Sequence, residues 1–186
     1  MAVDQELLAY SLLLACTCVW NFVSKAVKDK IWTTIGHFLF LATGGLGAAL
    51  AITGNSDTRN IYNYAFFGSQ TAGVDFLMID ICIMCGVDSE MALLNLVPPL
   101  IDIVMKNFVD SNWQLVTPAT HVVSLGLMCF FGFRDEKYVL IVAAVGFLLA
   151  IAHLWKKNDD ISITHVFNAV GLIFAGLFLR GKDLRD

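Results

Sequence analysis

The sequence predicts an all-α protein: a polytopic bundle of about seven transmembrane helices, with the N-terminus outside and the C-terminus in the cytoplasm. Of its 186 residues, 58% are hydrophobic and 15% are charged, and the mean hydropathy is +0.71, outside the usual balance of a soluble domain. Apolar runs, each close to the roughly 20 residues that cross a bilayer, fill most of the chain. They lie near 6–24, 31–53, 63–86, 91–109, 115–133, 137–155 and 161–180.

The segments between the runs are short and hold most of the charge, so we interpret residues 1–186 as one transmembrane domain of antiparallel neighbours. The first run follows Asp4 and Glu6 without a basic leader or a small-residue cleavage pattern, which indicates a retained helix and not a signal peptide. Cytoplasmic loops are rich in Lys and Arg. An outside N-terminus places eight of the 12 basic residues on the inner side, which favours this orientation of a multi-pass membrane protein.

Spans two and three carry ionisable side chains that are costly in a bilayer. His37 lies in span two, and Asp75 and Asp80 lie in span three. Since each residue rises about 1.5 Å along a helix, His37 and Asp80 are predicted at a similar depth near the inner end, with Asp75 nearer the middle. We expect Asp80 to pair with His37 and Asp75 to be mostly protonated. Alternatively, the carboxyls form only interhelical hydrogen bonds.

Span four is predicted to be broken, because Pro98 and Pro99 remove two backbone donors in its middle. Transporters use broken helices to build binding sites, although a proline kink can also serve packing alone. Asp102 follows one turn beyond the break. We therefore predict that Asp75, Asp80, Asp102 and His37 line one polar path through the bundle.

Spans five, six and seven each carry one histidine, namely His121, His153 and His165. In the predicted orientation all three lie near the outer end, where converging imidazoles would bind a transition metal or sense pH. The alternative is that each is an interfacial histidine, hydrogen-bonded to a carbonyl or to water.

The sequence differs from known families of polytopic proteins at specific positions. A retinal protein needs a lysine in the middle of its last helix; span seven has Asn168 and Gly171 there, which argues against covalent retinal. Thr33 and His37, together with Asp75 or Asp80, resemble part of the site of the adiponectin-receptor and alkaline-ceramidase zinc hydrolases. Span seven lacks the paired histidines of that group, because His165 is alone there and on the opposite side from His37. A cytochrome b-like di-haem protein needs a pair of histidines on facing helices for each haem. His121 with His153 or His165 could hold one haem, but His37 has no histidine partner at its depth.

Three classes of function remain. The aspartates and the broken span favour an ion- or proton-translocating channel or transporter. The small size and the many small and aromatic residues favour a non-catalytic accessory or structural subunit of a larger membrane complex. The third is a metal- or haem-binding membrane enzyme, which is less favoured because H-E-x-x-H and G-x-S-x-G motifs are absent.

The sequence requires no cofactor. We expect the lipid bilayer as a partner, together with a homo-oligomer or a larger membrane complex. Nucleic acid is not expected as a partner, because no basic stripe is interleaved with exposed aromatic residues.

Overall fold

The computed structural model describes residues 3–108, 113–155 and 162–181. These residues are almost entirely helical and contain no strand, which confirms the predicted all-α class. The elements follow in the order α1 (Gln5–Val23), α2 (Ile31–Thr53), α3 (Ser56–Gly68), a π-helical segment (Ser69–Gly73), α4 (Val74–Met84), α5 (Ser89–Ala92), a 3-10 turn (Leu93–Leu96), α6 (Val97–Phe108), α7 (Trp113–Arg134), α8 (Tyr138–Trp155) and α9 (Ser162–Leu179).

Within the described ranges, four helices are long and apolar enough to cross a membrane: α1, α2, α9 and the continuous helix Ser56–Met84 that joins α3, the π segment and α4. His121–Arg134 and Tyr138–Leu154 are shorter apolar helices. The count of about seven spans and the orientation of the chain stay predictions.

Large apolar side chains lie on the outside of the bundle and polar side chains lie inside it, which is the distribution expected for contact with lipid. Trp20 and Phe133 are 56% and 68% exposed, whereas Asn21 and His37 are fully buried. Apolar surface of this extent is unfavourable in water, while polar side chains inside a bundle can satisfy one another. The outer surface is therefore suited to a lipid environment.

Local residue choices set the helix ends. Asp4 and Asn55 accept main-chain hydrogen bonds from Leu7 (3.0 Å) and Asp57 (2.9 Å), so each caps the helix that follows it. Because Asn55 begins a helix, the third helix starts at Ser56, seven residues before the predicted start at 63. The α2 helix ends at Gly54, whose φ of 58° is left-handed.

The predicted fourth span is divided in the structure. It contains α5, the 3-10 turn and α6, and Pro98 and Pro99 lie in the first turn of α6. Proline is tolerated there because the first-turn N–H groups have no partner within the helix. The sequence placed these prolines in the middle of a span, whereas the structure places them where a short helix begins.

A close backbone contact joins α8 to α9. A Cβ atom added at Gly146 would lie 2.7 Å from the main-chain nitrogen of Gly171 and 3.0 Å from its Cα. We expect Gly146→Ala to lower the free energy of unfolding by about 1–3 kcal/mol, because the backbone of α9 must move to admit a methyl group. Denaturant unfolding in micelles measures this. The control is Gly126→Ala, whose methyl group meets no atom within 4 Å and should cost nothing; equal losses would contradict the packing argument.

Candidate functional site

Three ionisable side chains from three helices meet inside the bundle. Asp75 lies in the first turn of α4, Asp102 in α6 and His121 in α7. The Nδ1 atom of His121 is 3.0 Å from Oδ2 of Asp75, and its Nε2 atom is 4.0 Å from Oδ2 of Asp102. All three side chains are fully buried. We call Asp75, Asp102, His121 and the adjoining Ser124 the central cluster.

Ser124 holds the second oxygen of Asp75. Its hydroxyl donates to Oδ1, while Oδ2 faces His121. Ser124 follows His121 by three residues, so both side chains lie on one face of α7. Sequence reasoning missed Ser124, although the spacing of three residues from a membrane histidine was a usable signal.

The π-helical segment lies just before Asp75. A π turn widens the helix and leaves carbonyl groups outside the regular α-helical ladder, and such turns often occur at functional sites. The π segment Ser69–Gly73 and Asp75 are separated by one residue, so this local distortion sets the direction in which Asp75 points.

The charges of the central cluster depend on the protons that it holds. With two ionised carboxylates and a neutral imidazole the cluster carries two negative charges, and two bound protons make it neutral. Uncompensated buried charge is costly, so the charges of these neighbouring groups depend on one another. The cluster is thus suited to binding and releasing protons as a unit.

Other chemistry fits the geometry less well. Ser124 donates to a carboxylate and not to the imidazole, so the hydroxyl lacks the histidine base of a Ser-His-Asp triad. Over the described part of the chain, no group of three or more His, Cys, Asp or Glu side chains has a metal-binding arrangement.

His37 belongs to a different network. The amide nitrogen of Asn21 donates to the carbonyl of Leu172 (3.0 Å) and to Nε2 of His37 (2.9 Å), and Nδ1 of His37 donates to the carbonyl of Thr33 (2.8 Å). Because a carbonyl only accepts, the nitrogen of the Asn21 amide must face it, and His37 Nε2 is then an acceptor. His37 is held as the neutral Nδ1–H tautomer and joins α1, α2 and α9.

Asp80 caps α2 across the helix interface. Its Oδ2 atom accepts the main-chain N–H of Thr33 at 2.6 Å. Lys30, the N-cap residue of α2, makes no side-chain cap bond, so Asp80 supplies the acceptor that the first turn needs. The charge of its carboxylate also suits the positive end of the helix dipole. Asp80 and His37 both contact Thr33, one at its N–H and the other at its carbonyl.

Because Asp80 caps α2 as a hydrogen-bond acceptor, its alanine and asparagine substitutions should differ in their effect on stability. We expect Asp80→Ala to lower the free energy of unfolding by about 1–3 kcal/mol, because the buried N–H of Thr33 loses its acceptor. Asp80→Asn should cost much less, since an amide oxygen also accepts. Thermal unfolding of both variants in micelles measures the difference, and an alanine variant as stable as wild type would exclude the capping role.

The three histidines predicted at the outer end have different hydrogen-bonding partners. His121 lies in the central cluster, His165 Nε2 is 2.9 Å from the hydroxyl of Tyr62, and His153 Nδ1 is 3.2 Å from Oγ1 of Thr164. His153 therefore faces α9, whereas His165 faces Tyr62 of α3. Of the four residues predicted to line one path, the structure brings together Asp75 and Asp102, and adds His121.

The C-terminal end of α7 is fixed to α4 by Arg134. Its guanidinium donates to the Asp135 carboxylate (2.5 and 2.7 Å) and to the carbonyl of Cys85 (2.7 Å). These hydrogen bonds hold the pKa of Asp135 below its usual range.

In comparisons with protein-family models, with curated proteins and with solved structures, the chain matches none.

Proposed function

We propose that this chain is a small integral membrane protein that translocates protons through its central cluster. The observation that carries the proposal is the burial of two carboxyls and an imidazole, from three helices, inside an apolar bundle. Ionisable residues are rare in membrane interiors because they are costly, and they mark ion and proton pathways.

The position of the cluster along its helices supports this function. Asp75 lies within the continuous helix Ser56–Met84, nine residues before its end, so its carboxyl would lie inside the bilayer. A proton relay needs such a group between the two surfaces. His37 and Asp80, nearer one end of the bundle, are committed to main-chain hydrogen bonds that stabilise α2.

The geometry favours protons over other cations. The imidazole of His121 occupies the position between the two carboxyls, where a metal cation would bind. Binding a metal cation there requires displacement of the ring, whereas a proton binds to the ring or to a carboxyl in place. The protonatable nitrogens and oxygens also provide successive sites for transfer.

Reconstitution tests the proposal. Purified protein is placed in liposomes that contain a pH dye, and a potassium gradient with valinomycin sets the membrane potential. We expect proton flux above that of empty liposomes, increasing with the potential. Absence of flux between pH 5 and pH 8 would reject the proposal and leave the accessory-subunit function, in which the protein acts only within a homo-oligomer or a larger membrane complex.

A further inference from the structure

An open groove lies at the end of the bundle where the chain passes from α1 to α2. It has a volume of about 450 Å³ and is formed by the start of α2 and the C-terminal part of α4. This volume falls in the range of about 300–1,000 Å³ that small-molecule sites have. Its polar lining includes Asp29, Lys30, Thr34 and Asp80. None of these residues belongs to the central cluster, so the groove is a separate polar site.

Asp80 gives the groove a fixed acidic group. Asp80 is 8% exposed, and its Oδ2 atom is held by the main-chain N–H of Thr33 at 2.6 Å. A carboxylate has about four lone-pair positions, so this single bond leaves capacity for donors that enter the groove. Asp29, which is exposed in the turn before α2, adds a second carboxylate. This part of the groove therefore suits a cation that donates hydrogen bonds.

Lys30 supplies the opposite charge. It is the N-cap residue of α2, its backbone is extended, and its Nζ atom is 3.5 Å from the main-chain carbonyl of Lys28. An ammonium group is a compact point charge that binds phosphate oxygens. The groove thus offers a positive group for a phosphate beside negative groups for a cation.

The level of the groove matches that of lipid headgroups. Residues 24–30, which include three lysines, connect two helices long enough to cross a membrane, so they would lie at a bilayer surface. Trp32 lines the groove and stacks on Phe76, with ring centroids 5.9 Å apart, and tryptophan is enriched at this level of a membrane. Ile31 and Ile83, which are 68% and 40% exposed, also line the groove. These two side chains are suited to contact with acyl chains.

We propose that this groove binds one molecule of phosphatidylethanolamine, with the ammonium of the lipid on Asp80 and Asp29 and its phosphate on Lys30. The acyl chains lie along Ile31 and Ile83. A primary ammonium has three N–H donors, whereas the trimethylammonium of phosphatidylcholine has none. Phosphatidylglycerol has no cation to pair with the carboxylates. The lining therefore selects the headgroup that combines a phosphate with a primary amine.

Native mass spectrometry tests this selection on the purified full chain. The protein is equilibrated with mixed micelles that contain phosphatidylethanolamine, phosphatidylcholine and phosphatidylglycerol in equal amounts and with identical acyl chains. We expect one bound phosphatidylethanolamine at about tenfold the level of either other lipid, because hydrogen bonds to a charged group supply a difference of this size. Asp80→Asn keeps an acceptor for Thr33 but turns an amide toward the groove, so the preference should be lost.

Asp57→Asn is the matched control. It removes an exposed carboxylate in the first turn of α3, outside the groove, and should keep the wild-type preference. Lys30→Gln is the second test variant. It should lower the amount of bound phosphatidylethanolamine without unfolding α2, because Lys30 makes no side-chain cap bond. Circular dichroism confirms that each variant is folded.

Equal binding of the three lipids by the wild type would overturn the site. So would a preference that Asp80→Asn and Asp57→Asn change alike, because this would indicate general attraction between surface charges. Phosphoethanolamine, the headgroup without acyl chains, is added in excess to the same micelles and should not displace the lipid. Displacement would assign the groove to a soluble zwitterion. Proton flux is measured separately, in liposomes of phosphatidylcholine alone, so the result for the groove does not depend on transport.

Discussion

Asp75→Asn is expected to abolish proton flux in liposomes while the protein stays folded. The amide has nearly the size of a carboxyl, and its oxygen can accept the hydroxyl hydrogen of Ser124, but it cannot bind and release a proton at neutral pH. A relay that depends on this group stops without it. The measurement is the initial rate of internal pH change at a fixed membrane potential, with the helical content followed by circular dichroism.

The matched control is Asp80→Asn, which makes the same chemical change on the same helix. Asp80 accepts a main-chain N–H and takes no part in the central cluster, so this variant should keep flux close to that of the wild type. If Asp75→Asn conducts normally, Asp75 is not on the pathway. If both variants lose flux equally, the loss comes from a structural change in α4 and not from removal of a proton-transfer group.

His121→Leu is expected to cause the largest loss of stability. Without the imidazole, Asp75 and Asp102 lose the group that lies between them in an apolar interior. Removing one partner of a buried ion pair costs about 3–5 kcal/mol. Denaturant unfolding in mixed micelles gives the free energy of unfolding from the midpoint and slope of the transition.

A compensating variant separates charge from packing. In the His121→Leu variant, Asp75 and Asp102 are both replaced by asparagine, which removes the carboxyls that the loss of His121 leaves uncompensated. We expect the triple variant to regain most of the lost stability, without any proton flux. If the triple variant is as unstable as His121→Leu, the loss comes from packing of the ring, and the proposed charge balance of the cluster is wrong.

The sequence predicted the helical class and the buried polar residues more successfully than their partners. The apolar runs and the charged segments between them predict helices without reference to other parts of the chain, and the structure confirms the class. The apolar runs in the sequence also indicate that α1, α2 and α9 are long enough to cross a membrane. Partners depend in addition on the direction in which each side chain points.

Two local features set those directions, and neither is visible in residue spacing. The π segment rotates α4 relative to α3, so the face that carries Asp75 does not follow from a regular 3.6-residue period. The 3-10 turn does the same for Asp102, because it resets the phase of the helix that begins at Val97. Depth alone grouped His121 with His153 and His165, whereas the structure places it against Asp75.

The pairing of Asp80 with Thr33 was missed for a different reason. Depth placed His37 and Asp80 at a similar level, and His37 was the ionisable residue predicted there. A main-chain N–H at a helix start is an equally good partner for a carboxylate. The absence of a capping side chain at Lys30 was the signal in the sequence that such a partner was needed.

Infrared difference spectroscopy tests most directly whether the central cluster exchanges protons. Spectra of membranes that contain the protein are recorded as the pH is stepped between 5 and 8, in water and in deuterated water. We expect a carboxyl C=O band that changes with pH and shifts on deuteration in the wild type, that persists in Asp80→Asn, and that is lost or displaced in Asp75→Asn and Asp102→Asn. A spectrum without any such band, or a band unaffected by both cluster variants, would contradict proton exchange at this cluster.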